Sequence, residues 1–145
     1  MLQNLIVDLN DFETIKEIGS GQYGIVYLVR EKETNKLFAA KILKDGFSSP
    51  ERQKAFFEEI IACSKAKHQS VLSLKGFNLK NFQNEPHPTL ITKYILNGSL
   101  KKLIKNKQNF TNSKRYIVLL GIALGMEYLH SQSIIHRDLK PDNVL

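Results

Sequence analysis

The chain has 145 residues, of which 42% are hydrophobic and 24% are charged, and its formal net charge is +7. This composition is typical of a globular domain and excludes the disordered and collagen-like classes of protein. The net charge would suit a nucleic-acid or anionic-membrane partner, but the basic residues lie around predicted helices without interleaved aromatic residues, which favours a solvated face and disfavours nucleic-acid binding.

The cysteine content and the apolar segments indicate in which cellular compartment the protein is expected. A single cysteine, Cys63, cannot form an internal disulfide or a zinc site, so a reducing compartment is expected. The N-terminal residues lack the basic start and the long apolar core of a signal peptide. The longest apolar stretch, residues 116–126, has 11 residues, whereas a membrane span needs about 20. We therefore expect a cytoplasmic protein with no membrane span.

A glycine-rich turn follows a leader of residues 1–11. Two strands are predicted within the segment from Phe12 to Arg30, interrupted by the sequence GSGQYG at 19–24. The residues after the glycines alternate between two faces, and the segment is rich in β-forming residues. Glycines let backbone amides approach phosphate oxygens, and they tolerate positive φ. A dinucleotide-binding fold would place such a motif between a strand and a helix. Its position between two strands favours a phosphate-binding hairpin, and a purely structural turn would need fewer glycines.

A third strand is predicted from Leu37 to Leu43, and it contains an internal lysine, Lys41. A lysine flanked by apolar residues is costly to bury unless its charge meets a partner, and a bound phosphate would be such a partner. The alternative is a strand lysine on a wet face.

A helix is predicted from Glu51 to Lys67. Ser49 and Pro50 provide a cap and a first helical residue, and Glu51 places an acid in the first turn. An apolar stripe follows at helical spacing. Its members are Phe56, Ile60 and Cys63, and Glu58 and Glu59 flank it.

Two further strands, Val71–Leu79 and Thr89–Tyr94, are predicted on either side of a polar loop that contains prolines. A short helix capped by Asn97 or Ser99 is expected to run to Lys105.

A longer helix is predicted from Ser113 to Ser131. It is apolar almost all round, which is typical of a helix in a core. Gly121 and Gly125 lie one turn apart and are expected to allow close helix packing.

The residues from Ile135 to Val144 hold an acid, a base and an amide at fixed offsets. Phosphoryl transfer needs a carboxylate to orient a hydroxyl, a cation to balance the migrating phosphoryl group, and an oxygen ligand for Mg²⁺. Asp138, Lys140 and Asn143 supply these three groups.

This segment, HRDLKPDN at 136–143, resembles the catalytic loop of eukaryotic protein kinases. The glycine turn, the strand lysine, a helix glutamate and a hinge-like segment at 91–100 precede it in kinase order and spacing. A lysine two residues after the aspartate, as at Lys140, resembles the pattern of the serine/threonine type of kinase. The sequence NGSL at 97–100 resembles the tyrosine-kinase-like branch of serine/threonine kinases.

The resemblance implies an α+β, protein-kinase-like fold. It places a five-stranded antiparallel small lobe with one helix, together with the hinge, at residues 12–95. Residues 96–145 are then the first helices of a helical large lobe, truncated after the catalytic loop. The implied cofactors are ATP and Mg²⁺, and the implied partner is a protein substrate with a serine or threonine hydroxyl.

The resemblance also assigns roles to single residues. Asp138 and Lys140 are the implied catalytic residues, and Asn143 is the implied metal ligand. The implied ATP-binding residues are Ile18, Gly19, Gly21, Gly24, Val26, Ala39, Lys41, Glu59, Thr92, Lys93 and Ile95.

Several of these roles follow from alignment with the family. Glu59 is chosen to pair with Lys41 by aligning the helix end on His68, which leaves Glu58 as a surface acid. Thr92 falls at the gatekeeper position, and the backbone at Lys93 and Ile95 falls at the adenine contacts. His136 and Arg137 are expected to support the catalytic loop without transferring protons.

The sequence ends at Leu145, before any Asp-Phe-Gly motif or activation loop. Two hypotheses follow: the N-terminal part of a serine/threonine kinase, or a short nucleotide-binding or docking module without catalysis. Reading the coding sequence beyond Leu145 would separate them. For the 145 residues alone we expect weak ATP binding, no measurable phosphorylation, and self-association or dye binding through the uncovered helix Ser113–Ser131.

Overall fold

The computed structural model describes residues 2–22, 24–105 and 110–145. The chain divides into two compact units. The first consists of Met1–Lys65 and Ser73–Tyr94, and the second of Ala66–Leu72 and Ile95–Leu145. The chain thus passes from the first unit into the second at residues 66–72 and then returns to the first.

The first unit contains a five-stranded antiparallel sheet with strand order β1-β2-β3-β5-β4. This confirms the predicted fold class. The strands are β1 (Phe12–Gly21), β2 (Gly24–Glu31), β3 (Leu37–Leu43), β4 (Leu74–Asn78) and β5 (Thr89–Lys93). The strand predicted from Val71 to Leu79 is shorter, because residues 66–72 belong to the second unit and the Val71 N–H donates to the His68 carbonyl in a turn at 3.0 Å.

One helix, α1 (Pro50–Lys65), accompanies this sheet. The Ser49 side chain accepts a hydrogen bond from the Arg52 N–H at 3.3 Å, so the predicted serine cap is present. The helix ends at Lys65 and not at the predicted Lys67, whose N–H donates to the Tyr128 hydroxyl in the second unit at 2.9 Å.

The sheet has a hydrophobic cluster on each face. Ala40 pairs with Ile91 and the adjacent Lys41 pairs with Leu90, and neighbouring strand residues point to opposite faces. The outer cluster contains Leu9, Phe12, Val29, Ala40 and Ile91. The inner cluster contains Phe56 and Ile60 of α1 together with Phe77 and Leu90 of the sheet. Helix α1 therefore covers the face that carries Lys41.

Residues 2–11, expected to be a leader, are packed onto this unit. They form two short 3-10 helices, Leu2–Leu5 and Leu9–Asp11. Between the two helices, Ile6 makes a parallel bridge with Phe77 of β4. The side chain of Leu9 is buried in the outer cluster.

The second unit contains α2 (Leu100–Lys105) and α3 (Asn112–Ser131). The expectation that α3 lies in a core is wrong for most of its length. Within the described residues only Gly125 and Leu129 of this helix are buried. Ile117 and Leu120 are 69% and 61% exposed, because no described side chain covers that face. None of the helices in the described ranges combines the length and the apolarity needed to cross a bilayer.

The two glycines of α3 differ in their surroundings. A Cβ on Gly125 would lie 3.0 Å from the Ser70 carbonyl oxygen, so this glycine lets the segment 66–72 pack closely on the helix. A Cβ on Gly121 would meet nothing within 4 Å. The prediction of close packing is therefore confirmed at Gly125, although the partner is a loop and not a helix. It is wrong at Gly121. In the same loop, His68 stacks on Tyr128 of α3 with ring centroids 4.9 Å apart.

Candidate active site

The glycine turn joins β1 and β2, which pair as far as Gly21 opposite Gly24. A Cβ on Gly19 or Gly21 would meet nothing within 4 Å, so the backbone here is open to an approaching ligand. A Cβ on Gly24 would overlap the backbone carbonyl oxygen of Ile42. The first two glycines thus leave space outside the strand, whereas Gly24 is required for packing of β2 on β3.

Conformational freedom does not explain Gly19 and Gly21. The glycines with positive φ in the described part of the chain are Gly46 and Gly98, at 55° and 72°. Open space beside the backbone is therefore the property that Gly19 and Gly21 provide. Ile18 lies beside them, at the register shift between Glu17 and Gly19, and is 39% exposed.

Four of the predicted nucleotide-binding side chains share the face covered by α1. Val26 pairs with Lys41, and Ala39 pairs with Thr92. Because paired residues of antiparallel strands point to the same face and alternate residues do likewise, these four side chains form one patch. Gly19 pairs with Val26 and places the glycine turn at the edge of that patch.

Lys41 and Glu59 both act electrostatically on Cys63, which lies one turn further along α1. Burial is the main cause that raises the pKa of the Cys63 thiol; the Glu59 carboxylate raises this pKa further, and the Lys41 ammonium lowers it. The structure describes both Lys41 and Glu59, and it forms no ion pair between them. The neighbouring Glu58 instead lies 3.9 Å from Lys54 on the exposed side of the helix.

The hinge-like backbone is already partly hydrogen-bonded within the chain. The Lys93 N–H donates to the Ser73 carbonyl at 2.9 Å, both in the first unit. In the second unit, the Ile95 carbonyl accepts a hydrogen bond from the Gly98 N–H at 3.3 Å. A ligand at Lys93 or Ile95 would therefore have to use other backbone groups.

The predicted catalytic residues lie together in the second unit. The ammonium of Lys140 lies 2.9 Å from Oδ2 of Asp138. The side-chain nitrogen of Asn143 donates to the same oxygen and to the Asp138 backbone carbonyl, each at 2.8 Å. Arg137 has a φ of 62°, in the left-handed region that few non-glycine residues adopt. The loop therefore turns sharply before Asp138 and directs three polar side chains to one place.

These hydrogen bonds set the charge state of Asp138. The bond from Lys140, followed by the bond from Asn143, holds the pKa of the Asp138 carboxyl below its usual range. The Asp138 side chain is nevertheless 61% exposed. It is therefore an ionised carboxylate that can accept a hydrogen bond from an incoming hydroxyl.

Helix α2 contacts the loop on the C-terminal side of Asp138. The sequence did not predict this contact. The Leu100 N–H donates to the Val144 carbonyl at 2.7 Å, and the Lys101 N–H donates to the Pro141 carbonyl at 3.0 Å. The Lys101 ammonium also pairs with the Asp142 carboxylate at 2.7 Å. The first N–H groups of a helix lack partners within it, so the loop satisfies α2 while α2 fixes the loop. Opposite charges 41 residues apart left no local pattern in the sequence.

The oxygen ligands for a hard cation are few. Among the described residues, no group of three or more histidine, cysteine or acidic side chains could hold a metal ion. Asn143 uses its amide nitrogen on Asp138, so its amide oxygen is the atom left for a cation. Since Mg²⁺ prefers six oxygen ligands and keeps several waters or substrate phosphates, one protein oxygen fits an ion that arrives with a phosphate ligand.

We expect Asp138 to titrate at lower pH than an unperturbed aspartate. Lys140→Met removes the hydrogen bond that lowers the pKa most, so it should raise the midpoint. Because the folded pKa is depressed, the ionised form and its bonds persist to lower pH and are lost only as pH falls through the folded value. Carbon-detected NMR of the Asp138 carboxyl measures both midpoints. Equal midpoints in the original chain and in the Lys140→Met variant would show that Lys140 does not stabilise the Asp138 carboxylate.

Comparison with known proteins agrees with this geometry. The family model described as the protein kinase domain matches residues 12–145. An Aurora kinase of Yarrowia lipolytica is 36% identical over 138 residues, which are 94% of this chain and 36% of that protein. A probable myosin light chain kinase of Dictyostelium discoideum is 34% identical over 139 residues, which are 95% of this chain and 39% of that protein. The serine/threonine-protein kinase sgk-1 of Caenorhabditis elegans is 33% identical over 138 residues, which are 94% of this chain and 29% of that protein.

The chain therefore belongs to the protein kinase family, as its motifs predicted. The assignment to the tyrosine-kinase-like branch stays a prediction. The chain spans less than two fifths of the length of these three relatives.

Proposed function

We propose that this chain provides the nucleotide-binding and catalytic-loop parts of an ATP-dependent protein serine/threonine kinase. The single observation that supports this most is the cluster of Asp138, Lys140 and Asn143, with Lys140 and Asn143 both bonded to Oδ2 of Asp138. A structural salt bridge would not need the amide, and a simple loop would not need the strained Arg137 before it.

In the proposed reaction, the substrate hydroxyl oxygen forms a bond to the γ-phosphorus of ATP while the bond from that phosphorus to the bridging oxygen breaks. Asp138 orients the hydroxyl and accepts its proton late, as the phosphoryl group leaves. Lys140 lies 2.9 Å from the same carboxylate and offsets negative charge on the migrating group. Bound Mg²⁺ would neutralise phosphate charge, with Asn143 as its ligand from this chain.

The first unit supplies the proposed nucleotide contacts. The open backbone at Gly19 and Gly21 accommodates phosphate oxygens, and Lys41 contributes the positive charge on the same sheet face. Val26 and Ala39 offer an apolar surface to the adenine. We propose that Glu59 orients Lys41 when nucleotide is bound, although the two residues form no ion pair in this structure.

A second candidate function is a kinase-like module that binds nucleotide or a partner protein without catalysis. The large exposed apolar face of α3, with Ile117 at 69% exposure, favours an interaction with other protein. We also propose a cytoplasmic location, because the one cysteine, Cys63, is free.

Radiolabelled ATP separates the two candidates. The full gene product, read from its natural start to its natural stop, is incubated with γ-labelled ATP, Mg²⁺ and a generic protein substrate. We expect label on serine and threonine, because Lys140 lies beside Asp138 as in serine/threonine kinases, and none when Mg²⁺ is chelated. Nucleotide binding without any transfer would support the non-catalytic module. Label on tyrosine alone would contradict the proposed substrate class.

A further inference from the structure

The segment before the kinase-matched range, residues 2–11, occupies the outer edge of the sheet and is named here the N-terminal strap. Strand β4 is the last strand on its side. The Val7 N–H donates to the Phe77 carbonyl at 2.9 Å, and the Asn78 side chain donates to the Val7 carbonyl at 2.9 Å. Edge strands present unpaired backbone groups, and the strap satisfies one of them here, the Phe77 carbonyl. The family match begins only at residue 12, so these contacts are not part of what the match supplies.

Strand β4 is shaped to receive the strap. A Cβ on Gly76 would overlap the Leu5 carbonyl oxygen and would lie 2.5 Å from Cγ1 of Val7. The nearest atoms to that position all belong to the strap. Gly76 is itself buried, and the irregular pairing of β4 falls beside it. A side chain at this position would force the strap off the strand.

The strap also reaches the cluster on which α1 rests. Leu2 and Leu5 pack against the inner cluster, to which α1 contributes its two buried residues, Phe56 and Ile60. Glu59 directly precedes Ile60. The apolar contacts that hold this turn of the helix therefore also determine where the Glu59 backbone lies.

We propose that the N-terminal strap is a positioning element that holds α1 on the sheet and so sets the reach of Glu59 toward Lys41. The Ile6–Phe77 bridge fixes the strap on β4, and Leu2 and Leu5 transmit its position to the inner cluster. This inference rests on the proposed function for the role of Glu59. Loss of the strap contacts loosens α1 while the five-stranded sheet stays intact.

Cys63 provides a direct measurement, because it is the one cysteine of the chain and lies on α1, half-buried, one turn after Glu59. Its reaction with an aromatic disulfide reagent is slow when the thiol is buried and its pKa raised, and it becomes faster when the helix moves away. The variants Leu5→Ser and Gly76→Ala each displace the strap. Ile6→Ser is the matched control, since the backbone of Ile6, and not its side chain, makes the bridge to Phe77, and the side chain is 54% exposed and belongs to neither cluster.

We expect labelling of Cys63 in the full chain to become about tenfold faster in the Leu5→Ser and Gly76→Ala variants, with ATP affinity reduced in parallel. Ile6→Ser should label at the original rate, and the volume-conserving Leu5→Met should restore it. Far-UV circular dichroism checks that the sheet remains folded.

The outcomes separate this inference from the proposed function. If both strap variants label Cys63 at the original rate, or if Ile6→Ser accelerates labelling as much as Leu5→Ser, the positioning role is wrong. If labelling responds as expected but the original chain binds no ATP, the proposed function is wrong and the hold of the strap on α1 stands.

Discussion

Replacement of Lys41 by methionine is expected to lower the rate of phosphoryl transfer by about 10²- to 10³-fold, the usual effect of removing one group that stabilises transition-state charge. Methionine has a similar length and keeps the apolar stem that packs on the sheet face, but it cannot pair with a phosphate. Lys41 is half-buried on β3 opposite Val26, so the strand pairing should survive. The labelled-ATP assay with the full gene product gives the rate, and thermal unfolding gives the stability.

The exposed Lys44, just after β3, is the control for Lys41: Lys44→Met removes the same charge and should leave transfer nearly unchanged.

A second matched pair tests the helix glutamate. Glu59→Gln should weaken transfer in the same direction as Lys41→Met, whereas Glu58→Gln should not, because Glu58 faces Lys54. Full activity of Lys41→Met would exclude the role proposed for Lys41, and a stronger effect at Glu58 would shift the helix assignment by one residue.

Individual strands could be predicted because the sequence pattern that specifies a strand is local. Alternation and β-branched residues marked the strands, and β3 runs from Leu37 to Leu43 as predicted. The cap of α1 at Ser49 was equally local, since a serine followed by proline and glutamate satisfies the free N–H groups of the first turn. The five-stranded arrangement itself came from the family resemblance.

The strap could not be predicted from its sequence. Its order depends on contacts with residues about 70 positions away in the chain, among them the bridge between Ile6 and Phe77 and the space left by the missing side chain at Gly76. Short 3-10 helices have no apolar period long enough to recognise. The segment 66–72 was not predicted as a unit either. Its first two residues were assigned to the helix ending at Lys67 and its last two to the strand Val71–Leu79, whereas the Lys67 N–H donates to the Tyr128 hydroxyl of α3.

The candidate site shows the same division. The residue types at Asp138, Lys140 and Asn143 predicted their meeting, because residues two and five positions apart in a tight loop cannot lie far from each other. The separate roles of the glycines were hidden, since only the position of the Ile42 carbonyl distinguishes Gly24 from Gly19 and Gly21. The absence of a Lys41–Glu59 ion pair was hidden as well, because the spacing of two residues on different elements does not determine how closely those elements approach.

Replacement of Asp138 by asparagine is expected to lower phosphoryl transfer by about 10²- to 10⁴-fold, the range contributed by a positioned general base. Asparagine has the same shape and can still accept a hydrogen bond through its amide oxygen, so the bond from Asn143 has a partner. It carries no charge, however, and it cannot take the proton of the substrate hydroxyl. ATP affinity should change little, because the proposed nucleotide contacts other than Ile95 lie in the first unit.

Asp142→Asn is the control for this substitution. It removes the same charge four residues away, from a carboxylate that pairs with Lys101 and takes no part in the proposed chemistry. Exposed ion pairs contribute about 0–1 kcal/mol to stability, so Asp142→Asn should retain most of the transfer rate. Both variants lose one negative charge from the loop. The ratio of their rates in the labelled-ATP assay therefore separates the chemical role of Asp138 from the effect of losing a charge. If the two variants lose activity equally, Asp138 acts by maintaining the loop and the proton passes to another group.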